Sequence, residues 1–433
     1  MTPAAQVIDL KQAQQTQALC VLLVIHCVVS FRSVPRILNT LFWQTGADSD
    51  HWIPHFTSVI NWTYRFGLGL LRQVKPITTP WLAIIDHSID IGTKKALVVL
   101  RVPLDALARR QSAIRLEDCE CIGLTVSEQV NGERILADLT AIFNQAGSPN
   151  AIIKDGDATL QKGVRLWAQT QTGLIPVIAD IGHAMATVLK KQFADDTLFQ
   201  RFIDITNKVA KRFRQTDLAF LIPPKLRSKG RFQSISKLAH WTEKIMTVMS
   251  NQESVKKGSV WTRLRKALPE LMLLKPFLAH FIQTTQTVTE ITEILKNKGL
   301  TQASFTQCAR LCATLPGTSA TADQVNQWLQ QHLDIQQKFP DTPLLVSSDI
   351  IESLFGNYKH IIERSPQADM NRSVLLIPAL CGKRDSATIS NALHHVSHYE
   401  LNEWEQANIP YTVRKKRRHF FDFKSSQKEV VNL

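Results

Sequence analysis

Nowhere in its 433 residues does the chain hold an apolar run long enough to span a membrane. The stretch that raises the question, ALCVLLVIHCVV at 18–29, has 12 residues, against the roughly 20 a spanning helix needs. The segment before it carries Asp9 and a single lysine, Lys11, which is poor chemistry for a secretory leader. The run therefore reads as a buried helix, and the chain is expected to be soluble with no membrane partner. A disulfide framework is also lacking, because the seven cysteines are odd in number and widely spread. Cys308 and Cys312 on an expected helix, and Cys119 and Cys121 along an expected strand, have no partners at zinc-site spacing. All seven read as thiols of a reducing compartment. His394 and His398 are four apart, but no third metal ligand accompanies them. Acids are scarce: 37 Asp and Glu against 51 Lys and Arg leave a formal charge of +14. Such a balance favours a polyanionic partner, nucleic acid before an anionic membrane surface. Hydrophobic residues at 44% and charged residues at 20% exclude a disordered chain. The length exceeds one ordinary domain.

Residues 1–76 read as all-helical. In SFRSVPRILNTLF, Ser33 can cap a helix and Pro35 suits its first turn. A loop leads to HFTSVINWTYRFGLGLL, which bears Arg65. A short helix, a turn and a second basic helix suit a helix-turn-helix reader of the major groove, and a plain helical packing domain fits the pattern equally well. From residue 81 the texture changes. WLAIID (81–86) and ALVVLRV (96–102) read as a hairpin, and ECIGLTVSE (120–128) as a third strand. NGERILADLTAIFNQAG (131–147) is an amphipathic helix stopped by Gly147. NAIIKD (150–155), the helix 158–167, LIPVIAD (174–180) and a further helix complete an α/β order with a mixed sheet. Residues 195 to about 340 lose strand character. Between 208 and 266 they are strongly basic, with Arg227, Lys229, Arg231, Lys256 and Lys257 among the cations and Trp241 and Trp261 between them. That mixture suits a nucleic-acid groove with stacking platforms, while either tryptophan alone fits a core position as well. The tail RKKRRHFF, with Arg414, Lys415, Lys416, Arg417 and Arg418, reads as a flexible electrostatic arm for phosphates.

Carboxylates at strand ends carry the chemistry. Asp86 ends the first strand and Asp155 the fourth; adjacent places in the sheet would bring them together, where sites in α/β folds gather. Asp90 and Asp157 are their nearby competitors. In VSSDIIESLFGNYKHII (346–362), Glu352, Gly356 and Lys359 form one helical stripe. Asp349 with Glu352 fits a capping box. Alternatively, Glu352 points outward as a third carboxylate, which with Asp86 and Asp155 suits Mg²⁺ and its preference for oxygen ligands. Two such ions about 4 Å apart can run an in-line phosphoryl displacement.

An Asp on the first strand, an Asp after the fourth and a Glu on a late helix resemble the DDE transposases. SDIIESLFGNYK is similar to the glutamate motif of bacterial insertion-sequence transposases, in which a Lys or Arg often sits seven residues after the Glu, as Lys359 does. ADIGH is similar to the Asp/Cys-x-x-His signature of the Mutator-like and hAT-like groups, giving Asp180 and His183, and those groups also carry an all-helical insertion before the Glu. In RFQSISKLAHW, Arg231 and Trp241 resemble insertion-domain residues that contact transposon-end DNA, although Arg-Phe stands where the hAT pattern has Arg-Trp. The resemblance covers about residues 80–365. It implies an RNase H-like α/β fold with a mixed sheet interrupted by a helical insertion, and a transposase that cleaves transposon ends and joins the freed 3′-hydroxyl to target DNA. Asp86, Asp155 and Glu352 would be catalytic and hold two Mg²⁺ ions, with Mn²⁺ able to substitute. Lys359, Asp180, His183, Arg231, Trp241, Arg65 and the basic tail would serve DNA.

The expected organisation is a helical DNA-binding domain at 1–76, a first core segment at 77–195, an insertion at 196–340, a second core segment at 341–400 and a basic tail at 401–433. Double-stranded DNA is the expected partner, on a homodimer or larger assembly, in a bacterial cytoplasm at the nucleoid. Two other readings remain: a non-catalytic DNA-binding relic, and an RNase H-like nuclease or resolvase without strand transfer.

Overall fold

The computed structural model describes residues 10–44, 52–73, 79–91, 94–110, 113–226, 230–250, 259–315, 320–362 and 370–421. Arg227, Lys229, Lys256 and Lys257 of the basic segment lie outside them, as does the side chain of Asp90. The chain divides into two compact units, one made of 1–109, 114–177 and 348–433 and the other of 110–113 and 178–347. Among the described residues no helix is long and apolar enough to cross a membrane.

The fold is mixed α/β. Its five strands are β1 (Trp81–Ile91), β2 (Lys94–Pro103), β3 (Glu120–Ser127), β4 (Ala151–Lys154) and β5 (Val177–Ala179), in sheet order β3-β2-β1-β4-β5. β2 pairs antiparallel with β1 and with β3, whereas β4 runs parallel to β1. The two residues of sequence between β1 and β2 permit only the antiparallel hairpin, and the helix between β3 and β4 supplies the crossover a parallel neighbour requires. Alternation along β1 sends Trp81, Ala83 and Ile85 into a core with Val99, Ile122 and Ile152, closed by Leu139 and Phe143 of helix Gly132–Ala146 and Trp167 of helix Ala158–Gln169. Asn131 caps the first of these helices by accepting from the Arg134 amide at 2.8 Å, and Gly147 ends it with φ 85°. The apolar run at 18–29 falls largely in helix Leu10–Ile25, where Ala18, Cys20, Val21 and Val24 are buried as expected.

The helix read as a major-groove reader has another place. Helix Phe56–Arg72 buries Val59, Trp62, Tyr64, Phe66, Gly67, Leu68, Gly69 and Leu70, which is most of its circumference. It packs on helices Leu376–Ala379 and Ser386–His395. Arg65, assigned to DNA from the sequence, donates from Nε to the Val396 carbonyl and from Nη2 to the Leu393 carbonyl, both at 2.6 Å. It caps the carboxyl end of helix Ser386–His395, whose last carbonyls lack partners within the helix. A groove reader needs an open helix face with donors to spare, and this helix is spent on packing.

Gly67 is required by that packing. A Cβ built there would lie 1.9 Å from the Leu375 carbonyl oxygen, inside any van der Waals contact. Gly67→Ala is expected to destabilise the fold by about 3 kcal/mol, visible as a lowered denaturation midpoint. An unchanged midpoint would mean that the two helices separate at no cost.

The second unit is helical. Aromatic rings of Phe193, Phe199, Phe277 and Phe281 pack together, with Phe193 and Phe281 centroids 5.3 Å apart. His332 sits 3.9 Å from the Trp328 ring, its Nδ1 2.7 Å from the Trp328 carbonyl, and its Nε2 accepts from the Ala179 amide at 3.1 Å. Burial pushes its pKa down to about 4, so the imidazole is neutral at physiological pH and fixes the chain just ahead of Asp180.

Candidate active site

The register of the parallel pair builds the site. Ile84 pairs with Ile153 and Ile85 with Lys154, so the next step of the same register sets Asp155 beside Asp86. Side chains alternate along a strand, which gives Asp86 the parity of Leu82 and Ile84, on the face opposite the Trp81–Ile85 core. Asp86 Oδ1 accepts from the His87 amide at 2.7 Å. Asp155 Oδ1 accepts from the Asp157 amide at 2.9 Å, and Asp157 in turn accepts from the Leu160 amide at 2.8 Å. Asp157 is thus the cap of helix Ala158–Gln169, while Asp155 stands at the strand end.

The third acid comes from helix Asp349–Ile362, which packs on β1. Ile351, Leu354, Phe355, Tyr358 and Ile361 form its buried face. Glu352, Gly356 and Lys359 are all exposed, so the stripe read from the sequence lies on the open side. Glu352 and Asp349 share the first turn, where negative charge also suits the helix dipole.

Electrostatics tie the three elements together. The Asp86 carboxyl is pushed up from 3.8 to about 8, first by burial, then by the charge of Asp155, with Glu352 and Asp157 adding to it against the lowering bond from the His87 amide. These acids form a negative cluster around Asp86. Two residues that the sequence reading passed over lie within it. Burial holds His87 below its ordinary pKa while Asp157 and Asp155 pull it up. Lys154 is buried, with Nζ 3.1 Å from the Asp155 carbonyl oxygen, and burial lowers its pKa. Their only signal was adjacency to the two aspartates. Among the described residues, no three His, Cys, Asp or Glu side chains form a ready metal cage. The chemistry of the donor set nevertheless fits a hard divalent cation, since β1, the end of β4 and helix Asp349–Ile362 each bring one carboxylate whose charge is felt at Asp86.

Gly356 has no packing reason inside the chain. An added Cβ would meet nothing within 4 Å, yet glycine in a helix interior costs about 1 kcal/mol against alanine. Gly356→Ala is expected to stabilise the protein by about 0.5–1 kcal/mol in thermal unfolding. A loss of stability would mean that this side of the helix is occupied.

The remaining candidates have these surroundings. Asp180 is buried and caps helix Ile181–Phe193 by accepting from the His183 amide at 2.8 Å. The His183 ring lies 3.3 Å from the amide nitrogen of Gln233, two residues beyond the exposed Arg231. Phe232, between them, stacks on Phe199 at 5.7 Å. Trp241 is half-buried and gives its indole N–H to the Leu221 carbonyl at 3.0 Å, whereas Trp261 is 46% exposed. Residues 414–418 belong to helix Val413–Phe421, a correction to the flexible arm read from the sequence. Arg414, Lys415, Arg417 and Arg418 are exposed, and Lys416 Nζ pairs with Glu128 at 2.9 Å.

No protein-family model matches the chain, and no curated protein matches it. Among solved structures, a Drosophila P element transposase strand transfer complex aligns with 94% of this chain and 94% of its own, at 11% identity and a TM-score of 0.42.

Proposed function

We propose that the chain is a metal-dependent DNA transposase with an RNase H-like core, in which Asp86, Asp155 and Glu352 hold two Mg²⁺ ions, Mn²⁺ being able to replace them. The observation that carries the reading is the raised pKa of Asp86, pushed up first by burial and then by the charges of Asp155 and Glu352. A structural ion pair would have lowered that pKa, and an apolar role would have needed no acid. The mixed sheet, with the strand of Asp86 flanked by the antiparallel β2 and the parallel β4, supports the RNase H-like assignment.

When bound, the ions supply an activated water or 3′-hydroxyl and stabilise the leaving oxygen of an in-line displacement. The protein's own residues do the rest. Asp86 and Asp155 are held by backbone amides, so their oxygens are fixed before substrate arrives. Glu352 closes the cluster from the helix. Lys359, two turns along the same exposed stripe, meets a DNA phosphate, and Gly356 between them lets the backbone approach. In the second unit Asp180 fixes the helix that presents His183, which with Arg231 contacts end DNA, and Trp241 supports that surface. A homodimer or larger assembly on paired ends, and a bacterial nucleoid location, complete the reading.

The test is nicking of supercoiled plasmid DNA with Mg²⁺ or Mn²⁺, followed by a search for strand-transfer products. Metal-dependent nicking with joined products supports the proposal. Nicking without joining makes the protein a nuclease, and DNA binding with no metal-dependent cleavage makes it a binding protein.

A further inference from the structure

The C-terminal helix Val413–Phe421 is anchored through Lys416. Lys416 pairs with Glu128 at 2.9 Å, and Lys94 reaches the same carboxylate at 3.8 Å while donating to the Tyr411 carbonyl. Residues at i, i+3, i+4 and i+7 share a helix face, so Arg414, Arg417, Arg418 and Phe421 form the face turned away from Lys416. All four are exposed, Phe421 by 78%, and Phe420 beside it by 62%. No acid interrupts the helix. Three guanidinium groups in a row ending in an open aromatic ring ask for a polyphosphate with an accessible base face.

The anchor lies at an informative end of the sheet. Ile91 pairs with Lys94 and Lys95 with Ser127, just before Glu128, while Asp86 lies further back on β1 opposite Val98. From Asp86 to Ile91 is five residues, or about 17 Å of strand, in the direction in which β4 delivers Asp155. The helix is therefore anchored at the end of the sheet towards which β1 runs from Asp86.

We propose that this helix binds unpaired DNA, the arginines holding successive phosphates and Phe421 stacking on a base. The proposal rests on the reading of Asp86, Asp155 and Glu352 as a strand-cleaving site, since a cut strand that parts from its complement offers bare bases. A duplex offers the same phosphates but keeps its base faces stacked, so an exposed phenylalanine gains nothing from it. The phosphate row and the ring together select the single strand.

Fluorescence anisotropy on the full chain tests this, with a fluorescein-labelled 20-nucleotide single strand and the matching duplex as probes. Phe421→Ala is expected to weaken single-strand binding by about 5- to 50-fold and duplex binding by less than about 2-fold. Replacing Arg414, Arg417 and Arg418 with Ala should weaken both and reduce the single-strand salt slope by about 2. The proposal is overturned if Phe421→Ala leaves the single strand unaffected or weakens both probes equally. It is also overturned if the variant loses only its binding to phosphatidylserine vesicles, which would make the helix a membrane contact. Plasmid nicking by the same preparations reports separately on the cleavage site. A selective Phe421→Ala defect without nicking sinks the active-site reading alone, and nicking without that defect sinks this one alone.

Discussion

Asp86→Asn is expected to make the metal-free protein more stable at pH 8 and to remove its response to Mg²⁺. The folded-state pKa of Asp86, about 8, lies well above its ordinary 3.8, so the folded protein keeps a proton that the unfolded chain gives up. Between those two values the unfolded state binds fewer protons, and stability therefore falls as pH rises. Below the lower value the group contributes nothing, and above about 8 its loss is complete. Asparagine keeps the oxygen that accepts the His87 amide at 2.7 Å while deleting the charge that Asp155 and Glu352 repel. The expected gain is on the order of 2–3 kcal/mol at pH 8, with almost none near pH 4. Magnesium at a hundred times its Kd should stabilise the native protein by about 2.7 kcal/mol and leave the variant unchanged. Differential scanning fluorimetry across pH, with and without Mg²⁺, reads both effects. A variant that is less stable at pH 8 than the native chain would show that no cluster repulsion exists.

Glu352→Gln is expected to abolish metal-dependent cleavage, by at least about 10³-fold or roughly 4 kcal/mol of barrier, while DNA binding stays within about 2-fold. Glu352 is exposed at the first turn of its helix, so the fold does not depend on it. Glutamine matches its shape and removes only the charge. If the residue merely served the helix terminus, the variant would lose a fraction of a kcal/mol of stability and cleave normally. Plasmid nicking alongside a thermal melt separates the two roles, and retained nicking would remove Glu352 from the chemistry.

Much of the candidate site was legible because strands announce their ends. WLAIID and NAIIKD are apolar runs closed by an acid, and burial on both faces of a sheet demands that composition. Their parallel pairing, on which the meeting of Asp86 and Asp155 depends, followed from the helix lying between them. Glu352 was legible as a stripe with Gly356 and Lys359 because helical spacing is local. The role of helix Phe56–Arg72 was not. Its pattern of apolar and basic residues is shared by groove readers and packing helices, and the carbonyls that engage Arg65 lie more than three hundred residues away. The hydrogen-bond partner of Trp241 was hidden for the same reason, since the Leu221 carbonyl that takes its N–H is twenty residues off. The basic tail looked like a free arm because Glu128, which anchors Lys416, is equally remote in sequence.

The first unit is assembled from three separated stretches of chain, and this has a consequence during synthesis. Gly67 leaves the ribosome about 300 residues before the Leu375 carbonyl it must touch, and Asp86 some 270 before Glu352. At about 5–20 residues per second the second interval lasts on the order of 15–50 s. Throughout it the side of helix Phe56–Arg72 that packs on helices Leu376–Ala379 and Ser386–His395 waits for its partners, while helix Leu10–Ile25 already contacts it. A product interrupted before residue 352 lacks the glutamate and the later helices that pack on helix Phe56–Arg72. Under the proposed function such a product would lack one of its three acids, a consequence of chain order alone.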